Sequence, residues 1–274
     1  MTINCKGQLI DLTSPKVMGI LNITPDSFYD GGAYKNEKNI LNQVDKMLNE
    51  GATFIDVGAY SSRPNADYIS EEEELKRILP IVNLILDEFP DALLSIDTFR
   101  SSVAKPCVEA GACIINDISA GNLDDNMLQT IADLRVPYIM MHMRGTPQNM
   151  QQQTSYDNII NEMIFYFSER IVAAKQLGII DLIVDPGFGF AKTLEQSFEV
   201  LNHLELFKMI DKPILAGVSR KSMIYKTLEA SANEALNGTT VLNTVALQKG
   251  ASILRVHDVK EAIECVKLVE TLSC

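Results

Sequence analysis

Eight short apolar runs recur along the chain, each followed by a stretch of helical periodicity, and this alternation constrains the fold most. The runs are KVMGILN (16–22), FIDVGA (54–59), LLSIDT (93–98), CIINDI (113–118), YIMMH (138–142), LIVDP (182–186), ILAGVS (214–219) and ILRVH (253–257). They are nearly continuous in apolar character, as strands covered on both faces are. The intervening stretches repeat their apolar positions every 3.6 residues. Residues 70–89 are typical. Ser70 is placed to cap a helix, acidic residues 71–74 fill the first turn, and Leu75, Ile78, Leu79, Val82 and Ile85 share one face. Gly51, Gly111, Gly178 and Gly250 fall just past helix ends, where a left-handed cap is wanted.

Strand and helix in alternation predict a parallel sheet. Eight such units in 274 residues favour an α/β fold of the closed (β/α)8 kind, the TIM barrel, over an open doubly wound sheet. No GxGxxG opens a helix, and no linker or low-complexity tract divides the chain. A single domain over residues 1–274 is therefore expected.

A chain that is 46% hydrophobic and 22% charged supports a large core and not disorder. Its formal charge of -12 disfavours nucleic acid or an anionic membrane as partner. Any anionic substrate must then be held by a local positive cluster. The opening MTINCKGQLIDLT lacks a basic-then-apolar signal pattern, and no apolar run is long enough to span a bilayer. Cys5, Cys107, Cys113, Cys265 and Cys274 form no CxxC and no metal-ligand spacing. Their odd number reads as reduced thiols, and a cytoplasmic location is expected.

Barrel enzymes carry their chemistry at the carboxyl ends of the strands. Here those ends carry Asn22, Asp56, Asp97, Asn116, His142, Asp185, then Ser219 with Arg220 and Lys221, then Arg255 with His257. One polar strand end is usually a cap. Eight are retained only if they satisfy one another or a ligand, because a buried unpaired polar group costs about 1–3 kcal/mol. The groups also sort by charge. Arg220, Lys221, Arg255 and His257 lie on the last two strands, where barrels often bind phosphate. Asp56, Asp97, Asn116 and Asp185 offer acceptors to the N–H edge of a flat heterocycle. The pocket suits a ligand with a polar aromatic head and an anionic tail. The plainer alternative is that Asp185 and Lys221 simply pair with each other.

The stretches MGILNITPDSF (18–28), IDVGAYSSRP (55–64), SIDTFRSSVA (95–104), IINDIS (114–119), MHMRGTPQNMQ (141–151), VDPGFGFAKT (184–193), GVSRKS (217–222) and RVHDV (255–259) closely resemble the dihydropteroate synthase family. The resemblance covers essentially the whole chain in order. It implies a pterin-binding barrel that condenses 6-hydroxymethyl-7,8-dihydropterin diphosphate with 4-aminobenzoate, giving 7,8-dihydropteroate and pyrophosphate for folate biosynthesis. On that resemblance Asn22 would help hold Mg2+ against the diphosphate. Asp97, Asn116 and Asp185 would hydrogen-bond the pterin, Lys221 would reach its carbonyl edge, and Arg255 and His257 would grip the diphosphate. Ser62 stands near that substrate, where the family usually has threonine. Arg63, Pro64, Phe190, Lys221 and Ser222 would line the aminobenzoate site. Asp97, Lys221, Arg255 and His257 are the implied catalytic set. The resemblance also implies a homodimer and a target of sulfonamides, which mimic aminobenzoate.

Two strand-end residues stay open. Asp56 serves either the site or only the neighbouring loops, and His142 is either a site residue or a hydrogen-bonded core histidine. The sequence departs from the family at Tyr60, where Glu is frequent, at Asn65, and at Ala191, where Gly is common. These departures bear on the shape of the aminobenzoate side. Two other readings keep the pterin site: a corrinoid methyltransferase domain, whose substrate has no diphosphate, and a non-catalytic paralogue. The basic cluster weighs against the first, and the retained loops 23–34 and 60–69 against the second.

Overall fold

The computed structural model describes residues 1–23, 33–61 and 68–272. An antiparallel hairpin, β1 (Thr2–Cys5) and β2 (Gln8–Asp11), precedes the alternating series. The series opens with β3 (Lys16–Asn22), α1 (Ala33–Asn49), β4 (Phe54–Gly58), α2 (Glu71–Glu88), β5 (Leu94–Asp97) and α3 (Ser101–Glu109). It continues with β6 (Ile114–Asp117), α4 (Met127–Leu134), β7 (Tyr138–Met141), α5 (Ile159–Gln176), β8 (Leu182–Asp185) and α6 (Leu194–Asn202). It closes with β9 (Leu215–Ala216), α7 (Ser222–Tyr225), α8 (Leu236–Gln248), β10 (Ile253–Val256) and α9 (Val259–Leu272).

The strands lie in the order β8-β7-β6-β5-β4-β3-β10-β9, each parallel to its neighbour. A parallel bridge between Val184 and Ile214 joins the two ends of that order. The sheet therefore closes into the expected (β/α)8 barrel. Local signals act as read: Ser70 Oγ accepts the Glu73 N–H at 3.2 Å at the start of α2. The four glycines singled out past helix ends all take left-handed φ.

The period of two along each strand separates two kinds of packing. Val17, Leu21, Ile55, Val57, Leu94, Ile96, Ile115 and Val184 join the cluster formed with the helices. Met18, Phe54, Ile114, Ile139, Ile183, Leu215 and Ile253 form a separate cluster inside the barrel. The same inner cluster takes in Ile3, Cys5, Ile10 and Leu12, so the hairpin plugs the barrel at the amino ends of its strands. The sequence reading had no role for that segment beyond the missing signal pattern.

Candidate active site

Two residues beyond the inner apolar layer, the inward face turns polar. Phe54 is followed by Asp56, Ile114 by Asn116, Ile183 by Asp185 and Ile253 by Arg255. Strand periodicity thus lifts each of these groups one layer toward the carboxyl end and keeps it inside the barrel. Arg255 joins them. Its Nε donates to Asp56 Oδ2 at 2.6 Å and its Nη2 to Asp97 Oδ2 at 2.7 Å, and Asn116 Nδ2 donates to the same Asp56 oxygen at 3.0 Å. Asp56 is fully buried, whereas Asp97 and Arg255 are each 18% exposed at the side chain. Asp56 Oδ1 has no hydrogen-bond partner among the described residues. Burial pushes the Asp97 carboxyl above the ordinary range; Arg255 opposes the rise, and Asp56, Glu74 and Asp117 add to it. Burial likewise disfavours the Arg255 charge, but Asp56 and Asp97 hold it firmly protonated.

Across the mouth, the turn after β8 supplies a second set. Asp185 is buried; its Oδ1 accepts the Gly187 N–H at 2.7 Å, and burial raises its pKa against the pull of Lys221. Lys221 does not pair directly with Asp185. Its Nζ donates to Phe188 O at 2.7 Å and sits 5.0 Å from the Phe190 ring centre. Burial lowers Lys221 to about 8, with Asp185 as the main opposing influence. Gly187 is needed where it is, because a Cβ there would lie 2.4 Å from His142 O. His257 follows β10 and is exposed, with Nδ1 3.0 Å from Ser219 Oγ, which also accepts the His257 backbone N–H at 3.1 Å. Asn22 ends β3 half-buried. Each side of the mouth thus holds carboxylates together with a cation, Arg255 between Asp56 and Asp97 and Lys221 under the influence of Asp185.

A family described as pterin binding enzyme matches residues 18–257. The dihydropteroate synthase of Escherichia coli (strain K12) is 42% identical over the whole of this chain and 97% of its own length. The chain belongs to the dihydropteroate synthase family. The Synechocystis dihydropteroate synthase is 41% identical, across 93% of this chain and 89% of its own. Among solved structures, Yersinia pestis dihydropteroate synthase with a sulfonamide drug superposes with a TM-score of 0.93 at 39% identity, covering 100% of this chain and 99% of that one. The Xanthomonas albilineans enzyme with 4-aminobenzoic acid gives 0.92 at 36% identity, with 100% and 98% covered.

Within this dihydropteroate synthase fold, the sequence-predicted residues divide. Asp97, Asn116, Asp185, Lys221 and Arg255 converge on one mouth, with Phe190 beside Lys221, Ser222 opening α7 and Asn22 and His257 at strand ends. Ser62, Arg63, Pro64 and Asn65 lie outside the described residues, as does most of the loop 23–34. Arg220 does not join the positive cluster. It forks onto Asp258 at 2.9 and 2.8 Å and donates to the carbonyls of Ala232 and Asn233, holding the connection to α8. Asp56 does not hold loops; it anchors Arg255 and Asn116 inside the barrel. His142 is the hydrogen-bonded core histidine, 2% exposed, with Nδ1 2.9 Å from Lys192 Nζ. Burial lowers its pKa to about 2, with the Lys192 and Arg144 charges adding to the fall.

The sequence reading missed four buried charged groups: Glu74, Arg100, Asp117 and Lys192. Glu74 looked like one more acidic residue in a helix first turn, yet it is fully buried, accepting from Arg100 Nη1 and Thr98 Oγ1 at 2.7 Å each. Arg100 Nη2 also holds Ile69 O at 2.8 Å, and its guanidinium stands 5.1–5.2 Å from the rings of Tyr60, Tyr68 and Phe99. Tyr60, a departure from the family, therefore faces a cation with its π-cloud where the family frequently has a carboxylate. Ala191, the other described departure, has φ 48°, the left-handed region that suits the glycine common there. Asp117 accepts the Ser119 and Gly121 N–H groups and the Tyr138 hydroxyl after β6, and Lys192 meets His142. Helical position could have flagged Glu74 alone, since it lies four and eight residues before Ile78 and Val82 on the buried face.

Proposed function

We propose that this mouth joins 6-hydroxymethyl-7,8-dihydropterin diphosphate to 4-aminobenzoate, releasing pyrophosphate and giving 7,8-dihydropteroate for folate biosynthesis. The observation that carries the reading is the convergence of Asp97, Asn116, Asp185, Lys221 and Arg255 inside one barrel mouth. A dihydropterin presents amino and ring N–H donors beside a carbonyl. Asp97, Asn116 and Asp185 supply the acceptors, and Lys221 the donor for the carbonyl edge. Phe190, Lys221 and Ser222, with Arg63 and Pro64 from outside the described residues, would line the aminobenzoate side, and Ser62, also outside them, would serve the diphosphate substrate.

The reaction needs little proton transfer. The bond between the methylene carbon and the diphosphate oxygen breaks, and the ring delocalises the positive charge left behind. The neutral arylamine nitrogen then attacks that carbon and sheds its proton afterwards. Negative charge grows on the departing diphosphate. Arg255 uses one Nε and one Nη2 hydrogen on the two aspartates, so roughly three of its five N–H donors remain for that anion. His257, exposed beyond β10, offers its imidazole to the same group, and Asp97 stabilises the developing cation by charge.

Mg2+ belongs to the proposal. Among the described residues no three His, Cys, Asp or Glu side chains gather as a metal site. The Asn22 amide oxygen suits an ion that keeps several waters and takes its other ligands from phosphate. Bound there, Mg2+ would neutralise charge on the leaving diphosphate. A homodimer belongs to it as well; the exposed Val241 on α8 and Leu268 and Leu272 on α9 support an apolar contact. Sedimentation that shows only monomer at every concentration would remove that part. No helix among the described residues is long and apolar enough to cross a membrane.

The deciding experiment supplies purified protein with Mg2+ and both substrates and detects dihydropteroate by mass. Product should form, and a sulfonamide should compete with 4-aminobenzoate. Folded protein without product would reject the reading. Asp185→Asn exchanges an anionic acceptor for an amide with one donor edge, so pterin affinity should fall about 10–100-fold, as bonds to charged groups are worth about 1.5–3 kcal/mol. An unchanged affinity would refute the role given to Asp185.

A further inference from the structure

Five successive carbonyls, those of residues 187–191, are all taken by side-chain donors. Gly187 O and Phe190 O each accept from Lys192 Nζ at 3.0 Å. Phe188 O accepts from Lys221 at 2.7 Å, Gly189 O from Gln151 Nε2 at 3.1 Å and Ala191 O from the Tyr156 hydroxyl at 2.8 Å. Surface turns ordinarily leave such groups to water, and here four side chains stitch the turn down instead.

Lys192 is the centre of the stitching. It is only 3% exposed, burial lowers its pKa well below the usual lysine range, and its Nζ also meets His142 Nδ1 at 2.9 Å and His142 O at 3.4 Å, just past the end of β7. Burying an amine, charged or neutral, is costly unless its polar atoms are bonded, and a hydrophobic residue of similar length would fill the space without that cost. Retaining Lys therefore fixes something a packed side chain would not: the places of two backbone carbonyls relative to β7. Those carbonyls flank Phe188 O, which holds Lys221, and the second belongs to Phe190 itself, whose ring faces Lys221. His142 supports the arrangement through both its ring and its backbone, with Nδ1 2.9 Å and the carbonyl oxygen 3.4 Å from Lys192 Nζ.

We propose that Lys192 is a positioning residue for the condensation, tying the 187–191 turn to His142 and thereby setting Lys221 and the Phe190 ring against the substrates. Gln151 and Tyr156 fasten the outer edge of the same turn. The inference rests on the function proposed above.

The test is a double-mutant comparison in the dihydropteroate assay, with kcat and both KM values measured. Lys192→Met should lower kcat/KM for 4-aminobenzoate at least tenfold in the wild-type background. In a Lys221→Ala background, where the turn has no Lys221 to place, the same substitution should cost threefold or less. Equal fold-losses in the two backgrounds, or no loss in either, would overturn the proposal, since a merely structural lysine lowers both alike. If Lys192→Met does not fold, Tyr156→Phe removes one outer fastener and takes its place. It should lower kcat/KM two- to fivefold with wild-type Lys221, and by less than 1.5-fold without it. Wild-type turnover with unaffected variants would refute this inference alone; absence of wild-type turnover would refute the underlying function and the inference with it.

Discussion

Arg255 shows how one side chain carries two duties that mutation confounds. Removing it takes away the donor proposed for the diphosphate and also leaves the fully buried Asp56 without its cation. Breaking a buried pair from one side costs about 3–5 kcal/mol. Arg255→Ala should therefore lose stability as well as substrate affinity, and Asp56→Asn added to it should restore part of the stability in urea titration. A double variant no more stable than Arg255→Ala would show that Asp56 is not the stranded charge. His142 makes a different prediction at the same scale. Its folded pKa lies near 2, far below the ordinary 6.5, so below about pH 6.5 the unfolded chain binds a proton that the folded one does not. Stability contributed by this site is present above that pH and falls as pH drops, by about 1.4 kcal/mol per unit. The stability difference between wild type and His142→Gln should shrink by about 2 kcal/mol from pH 7 to pH 5. A difference that stays constant over that range would contradict the buried neutral imidazole.

Among the elements, α2 is where local and tertiary forces meet most clearly. Its start was legible, because a serine before four acidic residues both caps the backbone and suits the helix dipole. Ser70→Ala should cost about 1 kcal/mol, read as a lower urea midpoint with unchanged slope. A loss below about 0.3 kcal/mol would mean the 3.2 Å bond to Glu73 contributes nothing. The fourth acidic residue obeys a different force. Glu74 turns inward to Arg100, and that pair, with Ile69 O, secures the chain just before the helix. Helical periodicity predicts a face; it does not name the partner that waits there from α3's leading edge.

At the scale of the molecule, the barrel has two ends with separate tasks. The carboxyl end holds the polar ring, and the amino end is sealed by the β1–β2 hairpin against the inner apolar layer. Ile3 is 2% exposed in that seal. Ile3→Ala should lose about 2–5 kcal/mol while leaving KM for both substrates unchanged, because the lesion lies at the far end of the strands. A loss below about 1 kcal/mol would show that the hairpin is not packed as described. The net charge of -12 is compatible with an anionic substrate for the same reason of placement: Lys221 and Arg255 face inward, where walls of low dielectric shield them from the acidic surface.

The fold and most of the site could be read from the chain because both follow from short-range order. A strand buried on both faces must be apolar, and a period of two carries Asp56, Asn116, Asp185 and Arg255 to the same side as the apolar residues beneath them. The sequence alone therefore determined the barrel, the end that does chemistry, and the residue types gathered there. Which charges meet was decided only by closure of the sheet. Arg255 reaches Asp56 across 199 positions, Arg220 turns away to Asp258, and Lys192 settles on His142 instead of a carboxylate. Pairing among buried ions depends on distances of a few ångströms between distant segments, and no local pattern encodes such distances.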